Sequence, residues 1–172
     1  MTDQNNYGLN AKEGQNSPRQ KSRGTKRIMR DSDKEELIQE LMSQELGVFK
    51  EIWRLMLFAA QLGFKENKKV PLNSPEAGKG IDQSIFGNCS TWPGILYLMS
   101  LAETHDTILL SGGEEGDAKR IQLFEQYANG GLEILKEFFD QNTANVETLI
   151  DFIDTYASET FSNSTKDVDL TI

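Results

Sequence analysis

Apolar residues recur at helical spacing in several stretches of the chain, separated by polar segments rich in turn-forming residues. The first stretch is "DSDKEELIQELM". Ser32 followed by Glu35 predicts a capping box, and Asp33, Glu35 and Glu36 suit the positive end of a helix dipole. Leu37, Ile38 and Leu41 form a narrow apolar stripe, and Gly47 separates this helix from the next. Val48 to Leu62 is the most hydrophobic segment, with 11 of 15 residues apolar. Its polar positions Lys50, Glu51, Arg54 and Gln61 fall within an arc of about 100°, which predicts a helix buried on most sides, Trp53 included. Gly63 suits the C′ position that would end it.

Further on, Pro71 and "NSPEAGKG" read as turn and loop, while "IDQSIF" reads equally as a short strand or one helical turn. Thr91 before Trp92-Pro93 predicts a capped helix start, and "GILYLMSLA" continues it as a second largely buried helix. "SGGEEGDA" reads as a loop. A last helix over 144–157 places Val146, Leu149, Ile150, Ile153 and Ala157 on one face, with Glu147, Asp151 and Asp154 opposite. Helices 48–62 and 92–104 are expected at the centre of the fold.

The segment "FEQYANGGLEIL" interrupts helix formers with Asn129-Gly130-Gly131, a sequence that elsewhere marks a turn. Yet Ile121, Phe124, Ala128, Leu132, Leu135 and Phe139 keep one phase across it, within about 40° of a line at 100° per residue. This favours one helix over 118–139 rather than two helices joined at Asn129-Gly130. Two interior glycines forgo about 2 kcal/mol relative to alanines, so something offsets them. Either they serve packing or a kink, or Tyr127, Asn129, Gly130 and Gly131 form a bare patch where a partner docks. A continuous helix with Gly130 on an open side also predicts that Gly130→Ala stabilises the protein.

Composition narrows the picture. Of 172 residues, 37% are hydrophobic and 26% charged, enough for one modest core with polar ends. Residues 1–27 lack apolar periodicity and read as a disordered basic arm, and residues from 158 read as a flexible tail. Net charge is −9, but residues 1–30 carry seven Lys/Arg against two acids. The rest of the chain is strongly acidic. The lone Cys89 cannot pair within the chain, and the polar N-terminus does not resemble a signal peptide, which fits a cytoplasmic protein. The longest apolar run, Leu55 to Ala60, is too short to span a bilayer.

Several chemistries are excluded. With His105 the only histidine and Cys89 the only cysteine, no Cys/His zinc cluster and no HExxH helix can form. There is no GxGxxG and no Walker loop. His105 reads as an exposed capping residue. Glu147, Asp151 and Asp154 share a helix face but lack a matching partner helix and read as solvated. No catalytic residue, metal or cofactor is expected. The remaining charged feature is Arg19, Lys21, Arg23, Lys26, Arg27 and Arg30, six cations in twelve residues. They can attract a phosphate backbone without reading sequence, since no aromatic interleaves them. They read equally as a solubilising arm or a contact for an acidic partner.

"LMLFAAQLGF" with "VPL" soon after, then "SIF", "LAETHDTILL" and "FEQYANGGLEIL", resemble in order and spacing the DNA phosphorothioation-associated protein 4 family, also called dnd system-associated protein 4. The likeness runs from about Ile28 to Phe152, leaving the basic arm and the tail outside it. The resemblance implies a place beside bacterial systems that replace a phosphate oxygen of DNA with sulfur, and beside linked restriction of foreign DNA. It implies no catalytic residues.

The expectation is therefore one compact, mostly α-helical domain over 28–157, acting as a non-catalytic adaptor among protein components of such a system. The alternative is a nonspecific DNA-binding accessory or regulator using the arm. An acidic body that mimics DNA is a third reading.

Overall fold

The computed structural model describes residues 26–43, 49–87, 89–143 and 145–164. Helices α1 (Glu35–Leu41), α2 (Ile52–Lys65), α3 (Gln83–Phe86), α4 (Trp92–Thr104), α5 (Glu114–Phe139) and α6 (Val146–Ser164) carry the fold. Among the described residues there is no strand, only isolated bridges pairing Ile28 with Ile81 and Asp31 with Pro75. Arg19, Lys21, Arg23, Gly47, Val48 and the end of the tail lie outside the described residues.

The double glycine sits inside one continuous helix, and α5 is the axis of the molecule. Tyr127 through Leu132 are six consecutive buried residues, so this stretch is enclosed on every side. The most extensive helix–helix contact is α2 against α5, with α4 packed on α5 more lightly. The expected central pair of α2 and α4 is therefore corrected: α5 takes the place of α4, because α4 leaves one apolar face uncovered.

The α2–α5 contact explains the glycines. A Cβ on Gly131 would lie under 3.0 Å from the carbonyl of Ala59 in α2. A Cβ on Gly63 would meet the carbonyl oxygen of Tyr127 in α5 as closely, and Gly131 N at 2.9 Å. Each helix thus presents a bare Cα to a carbonyl of the other. Gly130 does the same on another side, where its Cβ would meet the carbonyl of Lys68. Gly63 is accordingly an interior residue, and α2 runs on to Lys65 rather than ending at Gly63.

Aromatic residues tie α3 and α4 to this axis. Trp92 stacks on Phe86 with ring centroids 4.2 Å apart, and both meet Phe124 edge-on at 5.0 and 6.0 Å. Trp53 is buried as its place in the apolar arc predicts, and Arg54 covers its ring at 4.9 Å. "IDQSIF" divides between an isolated bridge and a helix: Ile81 pairs with Ile28, and Gln83–Phe86 makes one helical turn capped by Asp82.

Three local expectations fail for identifiable reasons. Ser32 and Glu35 form no capping box, because Ser32 pairs with Ser74 and Glu35 with Arg30. The "GGEEGD" loop winds into the start of α5 from Glu114, whose acids suit the helix N-terminus. In α6 the buried line is Leu149 and Phe152, while Ile150 and Ile153 are exposed. Phe152 packs on Phe138 at 4.7 Å and on Tyr156 at 4.4 Å, so the larger aromatic surfaces turn the helix away from its isoleucines.

The close contacts reverse the expected effect of Gly130→Ala. Alanine gains about 1 kcal/mol in helix propensity. Overpacking against a fixed carbonyl costs typically about 1–3 kcal/mol, and backbone cannot rotate away as a side chain can. Gly131→Ala, Gly63→Ala and Gly130→Ala should each lower stability in denaturant melts. A stabilised Gly131→Ala would show that α2 and α5 do not meet backbone to backbone.

Candidate functional site

The four residues expected as a partner surface are interior. Tyr127 and Asn129 are each 1% exposed, and Gly130 and Gly131 are buried against Lys68 and Ala59. The chain's own α2 and the segment after it occupy that patch, so it offers no docking face to another molecule.

Asn129 shows what replaces that role. Its Nδ2 donates to Asp31 Oδ2 at 3.1 Å and to the carbonyls of Val70 and Pro71 at 3.3 Å. Asp31 also accepts the backbone N–H of Asn73 at 3.0 Å and of Ser74 at 2.8 Å. One buried amide and one buried carboxylate therefore stitch the entry segment and the post-α2 link onto α5. One turn earlier, Glu125 accepts the N–H of Met29 at 2.7 Å. Burial pushes the Glu125 carboxyl above the usual range, partly opposed by that N–H and by Lys26.

Tyr127 reaches the other way. Its hydroxyl donates to Glu103 of α4, which also pairs with Lys69. The Lys69 ammonium first, and the Tyr127 hydroxyl second, hold Glu103 below the ordinary carboxylate range against some desolvation. Burial and then Glu103 raise the Tyr127 phenol above the usual tyrosine value.

The basic cluster divides. Arg19, Lys21 and Arg23 lie outside the described residues, and Lys26 and Arg27 are exposed at the base of the arm. Arg30 is not a free cation: it is 8% exposed, bonds Glu35 at 3.1 Å and donates to the carbonyl of Lys79. It holds the entry segment against the body, which corrects its assignment as a nucleic-acid contact. The lysines that follow α2 are also engaged, Lys68 with Glu133 and Glu137 and Lys69 with Glu103.

Glu147, Asp151 and Asp154 are exposed, and no group of three potential ligands for a metal ion occurs among the described residues. His105 is the left-handed C-cap of α4, with φ 54° and its N–H bonded to Leu101 O at 2.8 Å. Among the described residues no helix is long and apolar enough to cross a membrane.

What the sequence did not point to is the outer side of α4. Gly94, Leu98 and Ala102 are exposed, and Ile95 and Leu101 are half-buried beside them. These positions share about a third of the helix circumference. The 3-10 turn Thr107–Leu110 packs back against α4 and exposes Ile108 and Leu110. Leu98 is 69% exposed and Ile108 73%.

That turn is firmly held. Asp106 accepts the N–H of Ile108 at 2.9 Å, and Ser111 Oγ donates to Ile108 O at 2.6 Å. The buried Arg120 donates to the carbonyls of Leu109 and Ser111, pairs with Asp117 and lies 4.3 Å from the Tyr97 ring centroid. A cleft of about 340 Å³, lined by Gln83, Ser84, Trp92, Pro93, Tyr97 and Arg120 among others, opens beside it. No signal in "WPGILYLMSLA" marked it, because a helix apolar on all sides reads as buried.

A family model described as DNA sulphur modification system-associated protein 4 matches residues 27–171. The match takes in the tail beyond Phe152, which the sequence resemblance had left out. No curated protein and no solved structure matches the chain.

A carboxylate whose pKa is lowered on folding stabilises the fold at neutral pH, and that stability is lost as pH falls through the folded value. Tyr127→Phe removes a hydrogen bond to the ionised Glu103 and should cost about 1 kcal/mol at pH 7, Glu103 being partly solvated. The deficit should shrink once Glu103 is protonated, at a pH below its lowered value. Denaturant melts at both pH values check this; an equal deficit would show that the hydroxyl does not act through the carboxylate.

Proposed function

The chain belongs to the DNA sulphur modification system-associated protein 4 family, and from that membership we propose that it is a non-catalytic adaptor within such a system. In this reading it acts in the cytoplasm and binds protein components of the modification machinery or of a restriction activity linked to it. The observation that carries the reading is the uncovered apolar face of α4 and its rigid neighbouring turn. Exposed apolar side chains on a preorganised surface lose little entropy on docking, which favours a protein contact.

The test is co-purification of the tagged full chain from a host carrying the modification system, with nuclease treatment before capture. Modification or restriction proteins should remain bound after the nucleic acid is destroyed. Recovery of nucleic acid alone without treatment, and of neither class after it, would contradict the adaptor role.

Exposure of Lys26 and Arg27 at the base of the arm favours a second reading, weak sequence-independent contact with DNA phosphates by Arg19, Lys21, Arg23, Lys26 and Arg27. Neutralising Lys26 and Arg27 together should then reduce the log–log salt slope by about 2, roughly 0.9 for each phosphate no longer neutralised. Arg30→Gln should leave the slope unchanged and lower stability instead, because Arg30 is committed to Glu35 and Lys79. A salt titration on random duplex DNA measures both. A slope that falls with Arg30→Gln as much as with the others would return Arg30 to the contact surface.

A further inference from the structure

We propose that the face built by α4 and the turn Thr107–Leu110 docks a basic amphipathic helix of a partner protein, one whose apolar stripe is bordered by lysine or arginine. The proposal rests on the adaptor reading and names the chemistry of the partner. Two properties of one segment carry it. Residues 80–118 contain no lysine or arginine, while Asp82, Glu103, Asp106, Glu114, Glu115 and Asp117 all fall within them. The same residues hold Ile85, Leu98, Ile108 and Leu110, four of the six large hydrophobic side chains that stand exposed among the described residues.

Apolar exposure and acidic surroundings therefore coincide on one part of the body. Two of these acids are met by cations from outside the segment, Glu103 by Lys69 and Asp117 by Arg120, and the acidic border rests chiefly on Asp106, Glu114 and Glu115 beside the turn. Glu114 and Glu115 are exposed at the start of α5, next to the turn that Arg120 fixes. An incoming helix would lay its apolar residues along Leu98 and Ile108, and its cations would meet the acids at the border.

The same charges discriminate among occupants. DNA and anionic lipid surfaces are repelled. A second copy of the chain, paired about a two-fold axis, would bring this acidic border against itself. The chain's own basic arm supplies charge, but residues 19–27 contain no large apolar side chain to cover Leu98 or Ile108.

The probe is a synthetic Leu/Lys amphipathic helical peptide, with a twin in which every lysine is glutamate. Binding to the full-length protein is followed by fluorescence anisotropy. The Lys peptide should bind and weaken with added salt, and the Glu peptide should not bind. Leu98→Ser with Ile108→Ser should weaken the Lys peptide about tenfold or more. Ile150→Ser, an exposed isoleucine on α6, should leave it unchanged. Both substituted positions of the double variant are solvent-exposed, so its melting midpoint should stay near that of the parent, and this is measured alongside.

Equal binding to the parent and the double variant overturns the proposal. So does equal binding of the two peptides, or binding of neither. Concentration-dependent dimerisation that disappears in the double variant would assign the face to a second copy and overturn it too. Repeating the co-purification with the double variant keeps the two readings apart. If system proteins are still captured, the adaptor role stands and this face is wrong. If the parent itself captures none, the adaptor role fails and the peptide result judges the face alone.

Discussion

Three carbonyl oxygens, those of Ala59, Tyr127 and Lys68, each face a Cα that carries no side chain. The rest of the structure depends on that arrangement. It lets α2 and α5 approach until backbone meets backbone, and it lets the link after α2 wrap onto α5 from another side. Val70 N–H then reaches Gln126 O at 3.0 Å, and Asn129 gathers Val70, Pro71 and Asp31. A β-carbon at any of the three glycines would push these layers apart and strand the polar groups between them. The helix propensity forgone at Gly130 and Gly131 is offset by apolar burial around an axis that is closed on all sides.

An enclosed axis has a consequence for the surface. The groups with the most unusual environments, Glu125, Tyr127 and Asn129, serve internal joints rather than an open site. Interaction with another molecule is left to the periphery, and there the chain is asymmetric. Cations lie at the entry segment, on α2 and the link after it, and along α5 from Lys119 onward, and Arg30, Lys34, Lys68, Lys69 and Arg120 among them are engaged with carboxylates. The α3–α4 quarter and the start of α5 lack cations of their own and expose isoleucine and leucine. A protein of the DNA sulphur modification system-associated protein 4 family thus directs acidic, apolar surface outward over this quarter of its body, which suits contact with proteins better than contact with DNA.

Much of this was legible in the sequence. The single phase of Ile121, Phe124, Ala128, Leu132 and Leu135 carried the helix across Asn129-Gly130-Gly131, and the arc of polar residues in α2 placed Trp53 inside. The order of short segments identified the family. What periodicity could not supply was the neighbour of each face. It gave no sign that Gly130 opposes Lys68 O, that Arg30 belongs to Glu35, or that Phe152 and Tyr156 outweigh Ile150 and Ile153. Those outcomes depend on chain segments brought together from far apart, and local pattern does not encode them. The same limit hid the exposed side of α4. Its sequence reads as buried, and only the arrangement of the other helices leaves Leu98 uncovered.

The central claim is that the α5 axis is a closed internal joint while the α4 face is the open, partner-facing surface. Amide hydrogen exchange compares the two most directly, on the free protein and on the protein captured with its system components. Slow exchange is expected at 127–132 in both states, with new protection on capture confined to α4 and residues 107–111. Protection gained at 127–132, with α4 unchanged, would contradict the claim.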